Sequence, residues 1–120
     1  MAINFDDLKD TAVDLAQAAA QKAKELATIA KAKASIAAEE IKIRKAYIEL
    51  GKLYYRDYAL GEDMDSAEYL PWCDKITASR AVIEDLKNLI ADIKEKGELT
   101  DEEVETADEE PAEEPEQTEE

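Results

Sequence analysis

Apolar residues recur along this chain at helical spacing, and the downstream half shows it most cleanly. Trp72, Ile76, Ser79, Ile83, Leu86, Ile90 and Ile93 alternate steps of four and three residues, the a/d spacing of a helix packed along one seam. Val82 and Leu89 widen the stripe, and Asp74, Lys75, Arg80, Glu84, Asp85 and Lys87 supply a solvated face. Gly97 follows Lys94 and Lys96, a cationic last turn before a residue suited to a left-handed end cap. Upstream, Ile36, Ile43, Tyr47, Leu50 and Tyr54 share a face, flanked by Ile41, Ile48 and Tyr55. Folding the chain near residue 63 sets Tyr54 beside Trp72, Leu50 near Ile76, Tyr47 near Ser79, Ile43 near Ile83 and Ile36 near Ile90. Small Ser79 opposite large Tyr47 is the alternation that lets layers interdigitate. The pattern predicts an all-α fold built on an antiparallel, coiled-coil-like helical hairpin over residues 36–97, with its loop at 59–70.

The loop has its own signals. Gly61 is placed to end the first arm, and Glu62-Asp63-Met64-Asp65 is polar enough to turn. Asp65 with Glu68 resembles a capping box, while Pro71 lacks an amide proton and suits a first helical turn. A short turn of helix at 65–69 and a kink or restart at Pro71 are expected. Tyr47, Tyr54, Tyr55, Tyr58, Tyr69 and Trp72 are expected to gather there as an aromatic plug.

Residues 1–35 form an Ala/Lys-rich amphipathic helix by propensity. Asn4 is a suitable N-cap, and Asp6 and Asp7 fall where the helix dipole favours anions. Phe5, Leu8, Ala12, Leu15, Ala19, Leu26 and Ile29 mark a candidate interaction stripe, and no glycine or proline interrupts residues 1–50. A helix from Phe5 to Tyr58 would measure about 80 Å, against about 40 Å for the second arm. The stripe therefore needs further cover. Three solutions are open: folding back near Thr28–Ser35 into a three-helix bundle, pairing with a second copy, or lying on a membrane. A core of two helices is thermodynamically marginal, which favours an added packing partner.

Charge narrows the choice. The net charge is −16, and thirteen of the thirty-one acids lie in residues 98–120, which contain no base. Self-repulsion, Pro111, Pro115 and the lack of an apolar face predict a disordered acidic tail there. Residues 1–35 balance five acids with five lysines, whereas an interfacial helix for anionic lipid should be cationic opposite bulky apolar residues. Lys42, Arg44, Lys45, Lys52 and Arg56 concentrate base, but Glu49 interrupts them, and no nucleic-acid partner is expected.

Candidate chemistry is thin. The chain has no histidine, which removes Ser-His, Cys-His and His-metal arrangements. Its one cysteine, Cys73, has no intramolecular partner, which suits a reducing, cytoplasmic setting. Asp63, Asp65, Glu68 and Asp74 suggest a calcium loop, but Glu68 stands where that loop needs glycine. No enzyme activity, cofactor or metal is expected, and no signal peptide or membrane span is read.

The stretch Lys45-Ala46-Tyr47-Ile48-Glu49-Leu50-Gly51-Lys52-Leu53-Tyr54-Tyr55 resembles the Y-x-E-[IL]-G-K-x-Y-Y segment of small helical proteins of Clostridia and gut Firmicutes. Cys73–Ile76 and Ile90–Lys94 match their later elements, so the likeness covers about residues 5–96. Relatives of that kind often end in a zinc ribbon; no Cys-x-x-Cys follows Gly97 here, so zinc is not carried over. The resemblance implies a bacterial helical architecture and no activity. The expected organisation is thus an N-terminal helix over 1–35, a hairpin over 36–97 and a tail over 98–120. The expected function is a protein-protein interaction or scaffold role, with self-association as one form of it; the alternative is a peripheral membrane-associated or stress-response protein using the N-terminal amphipathic helix.

Overall fold

The computed structural model of the chain describes residues 5–107, with side chains from Asp6 onward. It is all-α: α1 spans Phe5–Tyr58, α2 spans Ser66–Lys96 and α3 spans Asp101–Glu105, with no strand among the described residues. The helix of residues 5–35 runs without a break into the first arm, so it does not fold back near Thr28–Ser35. The described residues divide into two compact units, 32–91 and 5–31 with 92–107.

In the unit of 32–91, the arms of α1 and α2 form the expected antiparallel hairpin. Arg80 Nη2 donates to Tyr47 Oη across it at 3.2 Å, and Tyr69 Oη donates to Asp57 Oδ2 at 3.1 Å. The inward face of α1 is Ala32, Ile36, Glu39, Ile43, Ala46, Leu50, Leu53 and Asp57, alternating steps of four and three; Ala32, Ala46 and Leu53 are buried and the others half-buried. Ile76 and Ser79 are buried on α2, and Trp72, Ile83, Leu86 and Ile90 are half-buried, as their spacing anticipates.

Two expected core residues lie elsewhere. Tyr47 and Tyr54 are 51% and 60% exposed, because the seam passes through Ala46 and Leu53, the residue before each tyrosine. A phenol at the helix edge keeps its hydroxyl in water and its ring partly covered. Tyr47 meets α2 at Arg80, the residue after Ser79. Ser79 hydrogen-bonds Glu39, which is about 12 Å along α1 from Tyr47. The aromatic plug is also absent as such: Tyr55 and Tyr58 are exposed, the Tyr54 and Tyr58 rings stack at 4.6 Å, and only Tyr69 and Trp72 are partly covered.

The turn follows local chemistry. Gly61, at φ 73°, takes the left-handed backbone that the exit from α1 requires, and Glu62 N–H reaches Arg56 O at 2.9 Å. Asp65 Oδ1 caps α2 by accepting from Ala67 N–H at 3.0 Å. Pro71 neither stops nor restarts the helix; it lies inside α2. Its missing N–H removes one donor to the carbonyl of Ala67, and both residues are exposed, where the loss is cheapest.

In the unit of 5–31 with 92–107, Ile29 is fully buried and Leu99 nearly so. The end of α2 departs from expectation by one residue. Glu98, not Gly97, takes the left-handed conformation, at φ 53°. Leu99 N–H bonds to Lys94 O at 2.9 Å, the six-to-one bond of a Schellman motif whose following apolar residue is Leu99. Gly97 serves a different purpose: a Cβ there would stand 2.5 Å from Glu25 Oε1, so glycine admits that carboxylate.

The expectation of disorder from residue 98 is corrected over its first ten positions. Thr100 and Glu103 form a reciprocal capping box, with Thr100 N–H to Glu103 Oε1 at 2.9 Å and Glu103 N–H to Thr100 Oγ1 at 3.1 Å. Lys94 pairs with Asp101, the first residue of α3. The remainder of the expected tail, 108–120, lies outside the described residues.

Candidate functional site

The part of α1 that the chain's own described residues leave open lies N-terminal to Glu25. Leu8, Ala12, Leu15 and Ala19 from the candidate stripe are all exposed, Leu15 at 66%. Leu26 is half-buried and Ile29 buried, so the stripe divides into a covered end and an open end. The side chain of Phe5 lies outside the described residues. Val13, also exposed, broadens the open end.

The covered end is set by the capping box. It turns α3 so that Glu103 Oε2 meets Lys22 Nζ at 2.5 Å. That ammonium, ahead of the Thr100 backbone N–H, holds the Glu103 carboxyl below its ordinary range. Nothing equivalent among the described residues covers residues 6–20. Their charges are mainly acidic at the start, with Asp6 and Asp7 in the first turn, where the helix dipole stabilises them.

The hairpin unit has a second open set. Ile41, Ile48 and Tyr55 repeat at seven residues along the outer face of α1, with Tyr47, Tyr54 and Tyr58 beside them. Gly51 lies in this set, and a Cβ there would meet nothing within 4 Å. The neighbouring basic residues are mostly engaged. Lys42 pairs with Glu39 at 3.0 Å, Lys52 with Glu49 at 3.4 Å and Arg56 with Glu62 at 2.8 Å. Such pairing blunts the positive field a phosphate backbone would read.

Cys73 is exposed on α2. Among the described residues no group of three or more Cys, Asp or Glu is placed to hold a metal ion, and no helix is long and apolar enough to cross a membrane. The residues the sequence reading passed over are Ala46, Leu53 and Glu39 on the seam, and Leu99 beyond it. Leu99-Thr100-x-x-Glu103-Val104 carries its own signature, a capping box with apolar residues at the two staple positions. No family model, curated protein or solved structure matches the chain.

Proposed function

We propose that this chain is a non-enzymatic helical interaction protein of the cytoplasm, and that its working surface is the open face of α1 at Leu8, Ala12, Leu15 and Ala19. The observation that carries this reading is the exposure of two in-phase leucines on a helix whose same stripe is buried at Ile29. A long helix leaves such a stripe open at a cost unless another element covers it. The alanines between the leucines allow a partner helix to approach closely. Burying each leucine is worth about 1.5–3 kcal/mol, against at least about 4 kcal/mol of lost freedom on association, which places docking in the weak, reversible class. The cytoplasmic assignment rests on the lone thiol of Cys73.

A photo-cross-linking amino acid at position 15, compared with one at Lys87 on the exposed face of α2, tests the reading in cells. Protein adducts from position 15 and none from position 87 are expected. Lipid adducts alone, or no adduct, would overturn it.

A further inference from the structure

Leu8, Leu15, Lys22 and Ile29 follow one another at seven residues, so Lys22 lies on the stripe itself. Glu103 meets Lys22 and Gly97 stands beside Glu25, which brackets buried Leu99 at the level of Leu26 and Ile29. Residues 98–107 therefore close over the same face of α1 that Leu8 and Leu15 leave open. We propose that this segment is a displaceable strap, an autoinhibitory cover whose release carries the docking face on from Leu15 to Ile29. The inference rests on the docking role proposed above.

Little holds the strap in place. Leu99 is its one buried side chain. α3 has five residues, too few to hold a helix without the capping box and the contact with α1. The Lys22–Glu103 and Lys94–Asp101 pairs are partly exposed, and pairs of that kind contribute little. Glu98 opposes closure, because its left-handed backbone is strained for a residue with a Cβ. The hairpin is built differently, with Ala46, Leu53, Ile76 and Ser79 all buried along one seam. The strap thus sits at the low-stability end of the chain and opens while the hairpin stays folded. A partner helix that takes Leu26 and Ile29 adds two bulky residues to Leu8 and Leu15. It binds only the open fraction, so closure lowers its apparent affinity.

Maleimide labelling of the full chain tests this, in a Cys73→Ser background carrying Ile29→Cys or, as a control, Leu53→Cys. Position 29 should label about tenfold or more faster than position 53, because local opening is more frequent than global unfolding. Leu99→Ala should speed labelling at position 29 by about thirtyfold or more, and Thr100→Ala by about fivefold, with position 53 unchanged. Equal rates at the two positions, or a rate at position 29 indifferent to Leu99→Ala, would overturn the strap. The yield of protein adducts from a cross-linker at position 15 should also rise with Leu99→Ala. Faster labelling with an unchanged adduct yield would overturn the competition with a partner. No adduct in either chain would fail the docking reading, whereas the labelling rates still decide whether the strap opens.

Discussion

Lys22 Nζ lies 2.5 Å from Glu103 Oε2, and every described residue N-terminal to this lysine is exposed. The contact marks where the chain's own cover of α1 ends. It depends on Leu99 and the capping box that aim α3 at α1. Truncating Leu99 to alanine should cost about 2–3 kcal/mol, at the low end for a buried leucine because the site lies near the surface. Urea unfolding followed by circular dichroism measures this, and Lys22 should exchange its Glu103 partner for water in the same variant.

Glu98 holds a left-handed backbone that a residue with a Cβ adopts at a cost. Glu98→Gly should therefore stabilise the chain by about 1 kcal/mol, less the extra freedom glycine gains when unfolded. The urea midpoint should rise with an unchanged slope. Gly97→Ala should change the midpoint little, since the nearest atoms its Cβ meets are the flexible end of the Glu25 side chain, which can swing aside.

The position of the seam separates neighbouring residues. Leu53 is buried and Tyr54 is 60% exposed. Leu53→Ala should cost about 2–4 kcal/mol, and Tyr54→Ala less than about 1 kcal/mol. Thermal unfolding of the two variants reads the difference, and the reverse order would place the tyrosines in the core.

Glu39 introduces a pH dependence. The Ser79 hydroxyl first, then Lys42, hold its carboxyl below the usual value of 4.5. A carboxylate whose folded value is lowered contributes stability that is present above 4.5 and is lost as pH falls through the folded value. Urea midpoints measured from pH 6 downward should fall less steeply in Glu39→Gln than in the unaltered chain. Parallel slopes would remove Glu39 from the acid response.

The second arm was legible because a bulky aliphatic or tryptophan occupies nearly every inward position from Trp72 to Ile93. The first arm was not fully so. Its inward positions include Ala46, Glu39 and Asp57, small or polar residues with weak apolar signal, while the adjacent Tyr47 and Tyr54 have large rings at almost the same phase. Bulk drew the stripe one residue aside. Glu39 is intelligible only with Ser79 opposite it, a pairing between residues distant in sequence. Leu99 was hidden by the acidic composition around it, although its capping signature was present. The open end of the stripe was readable from Leu8 and Leu15, but the point at which cover begins needed α3.

Amide hydrogen exchange tests the division between covered and open helix most directly. Residues 6–20 should exchange quickly, while residues 32–58 and 66–91 keep strong protection. Protection of residues 6–20 that is as strong as the hairpin's would contradict an interface role and make that stretch part of the fold.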